Sequence, residues 1–180
     1  MPQRLSREEF RQWAEDRPER YERVDGAPVA MSPERIQHIR VKARVWAALD
    51  RAITQASLDC EALSDGATVE VDEDTDYEPD ALVNCGPPAS PDAIAAANPV
   101  IIAEVLSPGT QSIDTGEKLA GYFRLPSVQH YLIVSTRRRE VIHHRREGEA
   151  IASRVITIDR IELDPPGITI DIDGLYPPAR

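Results

Sequence analysis

Glu104 has the most chemically constrained setting in the sequence. It lies inside Val100-Ile101-Ile102-Ala103-Glu104-Val105-Leu106, and a carboxylate in such an apolar run is costly to bury unless it is paired, protonated or bound to a metal. The plainer alternative is a strand-end glutamate that reaches solvent or a structural arginine. Asp80 is a second acid in a comparable setting, following Pro79 and opening the apolar Ala81-Leu82-Val83. Two carboxylates at the ends of neighbouring strands suit Mg²⁺, which takes one or two carboxylates and keeps several waters. Asp80 also ends an acidic run, so alone it reads as one more solvated charge. Its pairing with Glu104 singles it out.

Downstream, Asp114, Lys118 and Tyr122 recur at i, i+4 and i+8 and share one helix face. If that helix packs beside the Glu104 strand, Lys118 aims its ammonium at the carboxylates. A lysine there stabilises the negative charge that develops on an attacked phosphate and helps deprotonate the attacking water. The alternative is an Asp–Lys pair on a solvated surface, which contributes little. His38, one turn into the longest predicted helix, and Glu22, in the first predicted strand, are candidates to flank the site; each alone is more often structural. Asp72, Asp74, Asp76, Glu78 and Asp80 alternate and would face one way in an extended chain. Measured from Asp72, however, the calcium-loop pattern puts Tyr77 where Gly is needed and Val83 where the bidentate Glu belongs, so a solvated acidic loop is expected. Arg137, Arg138, Arg139, Arg145 and Arg146, beside His143 and His144, make residues 137–146 the only concentrated basic patch, +4 with Glu140 as its sole acid. It reads equally as a phosphate-contacting hairpin and as a charged turn.

The 180 residues carry 21 Lys+Arg, 31 Asp+Glu and 4 His, a formal net charge of −10. Ten of the acids fall between Asp59 and Asp80 with no Lys or Arg among them, which leaves 21 acids against 21 bases elsewhere. The acidity is therefore local, and any contact with DNA must use local patches, because the overall basic balance of a nucleic-acid binder is absent. With 41% hydrophobic residues the chain is expected to fold, most simply as a single domain over residues 1–180 with its core at about 5–175. Cys60 and Cys85 belong to no CxxC pair and lie near no His at zinc-finger spacing, so two reduced, buried thiols are expected. The apolar stretch from Ala93 to Leu106 is broken by Asn98, Pro99 and Glu104, so no membrane association is expected. The N-terminus lacks a signal peptide's apolar core, which makes the cytoplasm the expected location.

The elements that must position these residues follow from capping and periodicity. Ser6 and Glu9 have capping-box spacing for a short helix up to about Asp16. Tyr21–Val24 and Ala27–Met31 flank an Asp25-Gly26 turn as two short strands. Ser32-Pro33 reads as the start of a long helix ending near Ser57, with Ile36, Ile39, Ala43, Trp46, Leu49 and Ile53 as its apolar stripe. Residues 59–71 read as strand, turn at Asp65-Gly66 and strand; 80–83 as another strand; 100–106 as a strand buried on both faces. A helix over about 113–124, weakened by Gly116 and Gly121, precedes a hairpin of 131–135 with 140–145, then short strands at 151–158 and 168–172 and an irregular proline-rich tail. The order predicts an α+β domain, a mixed sheet with helices on it.

Together these segments resemble the Uma-type endonuclease family, which is grouped with the restriction-endonuclease-like PD-(D/E)xK nucleases. The matching residues are Tyr21-Glu22 with Asp25-Gly26, Met31-Ser32-Pro33 with His38, Pro79-Asp80, Glu104-Val105-Leu106-Ser107-Pro108 with Thr110, then Asp114, Lys118 and Tyr122, and the strand Tyr131–Val134. The resemblance implies a restriction-endonuclease-like core, a central mixed sheet flanked by helices with an N-terminal helix and β-hairpin. It also implies that Asp80 and Glu104 bind Mg²⁺ or Mn²⁺, with the Val105 carbonyl as a further ligand. Lys118 would stand in for the motif lysine, since the position two after Glu104 is Leu106 where the parent pattern has Lys. The expected function is metal-dependent cleavage of DNA, carried by Asp80, Glu104 and Lys118 with Glu22, His38 and Tyr122 in support, and a homodimer is the expected assembly. The alternative is a catalytically silent relative acting as a binding or regulatory module.

Overall fold

The computed structural model describes residues 4–106 and 114–176. In chain order the elements are α1 (Arg7–Glu15), β1 (Tyr21–Val24), β2 (Ala27–Ala30), α2 (Ile36–Ala56), β3 (Cys60–Ser64), β4 (Val69–Glu70), β5 (Asp76–Tyr77), β6 (Ala81–Cys85), β7 (Pro99–Leu106), α3 (Asp114–Tyr122), β8 (His130–Ser135), β9 (Val141–Glu147), β10 (Ala150–Ile156), β11 (Arg160–Leu163) and β12 (Ile168–Asp171), closed by a 3-10 turn (Ile172–Leu175). The central sheet has the order β10-β9-β8-β7-β6-β3. β7 and β8 run parallel and the other neighbours antiparallel, so the sheet is mixed, as expected. No helix among the described residues is long and apolar enough to cross a membrane.

Local signals account for several boundaries. Ser6 and Glu9 form the reciprocal capping box that starts α1. Asp25 and Gly26 both take positive φ, 49° and 77°, the twist that closes a two-residue hairpin between β1 and β2. β7 is buried along nearly its whole length. Its alternate residues split between two cores. Ile101, Ala103 and Val105 pack with Val41, Val45, Leu49 and Ile53 of α2 and with the β11–β12 hairpin. Ile102 packs with Leu82, Tyr77, Tyr122, Phe123 and Tyr131 on the α3 side.

Several expectations are corrected. α2 starts at Ile36 after Arg35, not at Ser32-Pro33. Its buried stripe is Val41-Val45-Leu49-Ile53, while Ile36 and Ile39 are 63% and 46% exposed. The sequence offers two apolar stripes that meet at Leu49, and the i, i+4 run packs on the sheet. The strands expected on either side of the Asp65-Gly66 turn are present as β3 and β4, and they enter different sheets: β3 joins β6, and β4 joins β5 in a separate sheet of order β2-β1-β5-β4. The strand expected at 168–172 is present as β12, paired in a hairpin with β11, a strand that no sequence pattern signalled. Cys60 and Cys85 are not separate thiols; they sit opposite one another in β3 and β6 and form a disulfide.

The acidic run is not a solvated loop either. Asp76 is buried and accepts from Arg23 Nε at 2.7 Å and Arg7 Nε at 2.8 Å. Arg23, itself fully buried, spends its remaining donors on the carbonyls of Leu5 and Glu73. Glu70 pairs with Arg11, Glu78 with Arg20 and Asp72 with Arg124. A buried ion pair survives only when its remaining hydrogen-bonding groups are satisfied, and for Asp76 the bases Arg7 of α1 and Arg23 of β1 meet that condition. Nor is the basic segment one patch. Arg137–Arg139 lie in the turn before β9 and Arg145–Arg146 near its far end, roughly 20 Å away at strand rise. Arg146 points inward onto the carbonyls of Phe123, Leu125 and Val128.

The β11–β12 hairpin is tied to the sheet by two buried histidines. His130 Nε2 donates to the Pro165 carbonyl at 2.9 Å, so its Nδ1 is a bare acceptor and must receive the Nε2–H of His143, also 2.9 Å away. Burial pushes both rings down to about 4, with nearby Arg145 adding to the fall in each and His130 further depressing His143. The folded pair therefore binds fewer protons than the unfolded chain between about pH 6.5 and pH 4, and stability is lost as pH falls through that window. In His143→Gln, urea unfolding should show a shallower loss of stability across this window than in wild type; parallel curves would refute the assignment. A second prediction concerns α3. A Cβ on Gly121 would lie 2.8 Å from the Tyr77 ring, whereas one on Gly116 would meet nothing within 4 Å. Gly121→Ala should cost about 1–3 kcal/mol by overpacking, and Gly116→Ala should gain about 0.5–1 kcal/mol from helix propensity, both read from chemical denaturation.

Candidate active site

The antiparallel register of β6 and β7 places Ala81 opposite Ala103, and one step further along the same register sets Asp80 opposite Glu104. Glu104 falls on the α3 side of β7, where the facing α3 residues close over it. Tyr122 donates its hydroxyl to Glu104 Oε1 at 2.7 Å, and Lys118 Nζ donates to the same oxygen at 3.1 Å. Lys118 is shared with Glu22 of β1, whose Oε1 accepts from it at 2.9 Å and also receives the backbone N–H of Glu78. The lysine also stands 5.3 Å above the Tyr77 ring. Glu104, Lys118, Glu22 and Tyr122 thus form one buried hydrogen-bonded group.

Asp80 is held from the other side. Its Oδ2 accepts the Val105 backbone N–H at 2.6 Å, and its Oδ1 lies 3.0 Å from Lys42 Nζ. His38 of α2 makes a short hydrogen bond through Nε2 to the Val105 carbonyl, which fixes the proton on Nε2, since a carbonyl only accepts. That nitrogen is also 3.7 Å from Asp80 Oδ2. His38 Nδ1 is buried without a hydrogen-bond partner, 3.6 Å from Glu34. All six residues singled out from the sequence therefore converge: Asp80, Glu104, Lys118 and, around them, Glu22, His38 and Tyr122. Ser107, Pro108 and Thr110 lie outside the described residues, as does the side chain of Asp114.

Sequence reasoning missed Lys42. Its ammonium is buried and reaches Glu34 at 2.5 Å, Asp65 at 2.7 Å and Asp80. The signal was its i, i+4 spacing from His38, beside the Val41-Val45 stripe. Charge governs the whole site, since five carboxylates (Glu22, Glu34, Asp65, Asp80, Glu104) surround two lysines. Burial pushes the Glu104 carboxyl up to about 7; Lys118 pulls it back, and Asp80 and Glu22 add to the rise. Burial alone would lower the Lys118 and Lys42 ammoniums, but the neighbouring carboxylates, Glu104 first for Lys118 and Asp80 first for Lys42, hold both above the ordinary lysine value.

A pocket of about 230 Å³ opens over Asp80, Glu104, Lys118 and His38. A larger groove of about 940 Å³, between β9–β10 and the β11–β12 hairpin, contains none of these residues. Among the described residues no group of three or more His, Cys, Asp or Glu side chains stands ready as a metal cage. Two carboxylates and a backbone carbonyl, all hard oxygen donors with excess negative charge, fit a largely hydrated Mg²⁺ or Mn²⁺ rather than a closed zinc site. The Val105 carbonyl already accepts from His38 and has a second lone pair to offer that donor set.

Comparison with known proteins agrees with this architecture. The chain is 29% identical over 176 residues to an uncharacterized protein of Synechocystis sp., covering 96% of this chain and 92% of that one. A second uncharacterized Synechocystis protein is 32% identical over 75 residues, 41% of this chain and 42% of the other. The fold matches the crystal structure of a "putative nuclease belonging to DUF820" from Anabaena variabilis with a TM-score of 0.70 at 16% identity, covering 96% and 97% of the two chains. Residues 7–172 match the Uma2 family, described as "Putative restriction endonuclease"; with a nuclease-like fold and nearly the whole chain covered, the protein belongs to that family.

Proposed function

We propose that the chain is a divalent-metal-dependent endonuclease that hydrolyses phosphodiester bonds in DNA. The observation that carries this reading is the convergence of Asp80, Glu104 and Lys118 on one open pocket. Asp80 and Glu104 would hold the cation, whose chemistry is that of a Lewis acid for a phosphoryl oxygen and an activator of water. The protein's own contributions are positional and electrostatic. Tyr122 and Lys118 fix the Glu104 carboxylate, and Glu22 holds Lys118 from behind. Through Val105, His38 fixes the backbone that links Glu104 to the N–H bonded to Asp80. The Lys118 ammonium lines the pocket, where it can stabilise charge developing on a phosphate. Thr136 donates to the Leu106 carbonyl, and its own carbonyl accepts from Gln37. The turn carrying Arg137–Arg139 is thereby anchored beside the end of β7, and two of its arginines are themselves exposed, Arg139 pairing with exposed Asp173 and Arg138 lying 3.9 Å from half-buried Glu140. This supports contact with the phosphate backbone next to the site.

Saturating Mn²⁺ should raise the wild-type melting temperature by about 5–10 °C, since roughly 2.7 kcal/mol of binding free energy is available at a hundredfold excess over Kd. Asp80→Ala and Glu104→Ala should lose most of that rise; three identical responses would remove the metal site. On supercoiled plasmid and single-stranded DNA with Mn²⁺, Lys118→Met should lower the cleavage rate by about 10²-fold or more, the scale of losing one preorganised electrostatic group. It should leave the Mn²⁺ thermal response in place. Undiminished cleavage would take Lys118 out of the chemistry.

A further inference from the structure

The chemistry proposed for the pocket gives Lys42 no role, yet it is as inaccessible to solvent as Lys118. It projects from α2 beside Val41 and Val45, which are fully buried, and its side chain is only 8% exposed. A desolvated ammonium there is tolerable only with close counter-charges. Three carboxylates supply them: Glu34 at 2.5 Å, Asp65 at 2.7 Å and Asp80 at 3.0 Å. Each proposed ligand thus has its own lysine from a different helix, Glu104 from α3 and Asp80 from α2. The two lysines differ in access. Lys118 lines the pocket, whereas Lys42 does not and is held against Glu34, Asp65 and Asp80, so Lys42 bears on the pocket through Asp80.

We propose that Lys42 is a positioning residue, the internal cation of Asp80. It keeps the carboxylate in place when the pocket is empty, and by sharing that carboxylate it weakens the site's hold on a divalent cation. This inference rests on the reading of Asp80 as a metal ligand. The ammonium and a divalent ion on the same carboxylate repel each other, and charges a few ångströms apart near a protein surface change affinity by more than about tenfold. Lys42 therefore sets the cation concentration at which the site fills. It also spares the metal-free protein a cluster of Glu34, Asp65 and Asp80 whose other basic neighbours are Arg20, which bonds Asp65 alone of the three, and His38, 3.6 Å from Glu34 and 3.7 Å from Asp80.

The test is direct Mn²⁺ binding by calorimetry to the full chain as wild type, Lys42→Gln, Lys42→Arg and Asp80→Asn. Lys42→Gln should bind at least about tenfold tighter than wild type, Lys42→Arg should stay close to wild type because the charge is kept, and Asp80→Asn should lose the site. Equal affinity of Lys42→Gln and wild type, with Asp80→Asn lost, overturns the role of Lys42 and leaves Asp80 as a ligand. Binding by Lys42→Gln but not by wild type upholds Lys42 and removes the metal from the wild-type reading. Binding absent throughout, or untouched by Asp80→Asn, overturns both. If Lys42→Gln does not fold, the Lys42 ammonium can be followed in wild type by ¹⁵N NMR, with its signal identified by its loss in Lys42→Arg. Added Mg²⁺ should shift that signal and speed its proton exchange; a signal unmoved at every Mg²⁺ concentration overturns the proposal.

Discussion

A carboxylate in the middle of a buried strand sets the terms for the rest of the structure. Removing Glu104 from water without compensation would cost more than the packing of β7 could return, so the surrounding elements are arranged to compensate it. α3 runs where Lys118 and Tyr122 both reach Oε1, and β1 lies where Glu22 can take the other side of the lysine. The small sheet containing β1 and β5 is in turn fastened by Arg23 and Asp76. The N-terminal hairpin thus positions a residue that orients the site lysine, and it does so through an ion pair as buried as the site itself.

The parts of this arrangement legible in the sequence are those governed by local rules. The capping box at Ser6 and Glu9, the Asp25-Gly26 turn and the doubly buried run of β7 each announce themselves within a few residues. The i, i+4 spacing of Lys118 and Tyr122 predicted one shared face, and the structure directs that face at Glu104. What stayed hidden depends on partners far away in the chain. Asp76 looked solvated because Arg7 and Arg23 are more than fifty residues distant, and Lys42 did not stand out because Asp65 and Asp80 come later. Cys60 and Cys85 meet only through the pairing of β3 with β6. β4 and β5, two residues each, are too short to carry a periodic signal and exist only because β1 offers an edge.

The same distinction bears on charge. A run of ten acids without a base suggests repulsion from nucleic acid when read along the chain. In the fold, Arg7, Arg11, Arg20, Arg23, Lys42 and Arg124 are spent on that run, so much of its negative field is compensated at close range. At the pocket itself five carboxylates, Glu22, Glu34, Asp65, Asp80 and Glu104, share Lys42 and Lys118, so a local excess of acid remains there. Concentrating carboxylates in excess of their lysines at one pocket is costly to stability and favourable to cation binding, the usual opposition between a folded site and its chemistry.

Register makes that concentration possible. Side chains on a strand alternate faces with a period of two, so slipping β7 by one residue against β6 would turn Glu104 towards α2 and put Val105 under Lys118. The slipped strand would bury a carboxylate among Val41, Val45 and Leu49 and leave Lys118 with Glu22 as its one carboxylate partner. Both faults are electrostatic, and neither can be relieved by repacking apolar groups. The lysines and carboxylates at this end of the sheet therefore specify the pairing of β6 and β7 as much as they define a site. The residues placed to do chemistry also forbid the neighbouring registers in which that chemistry would be lost.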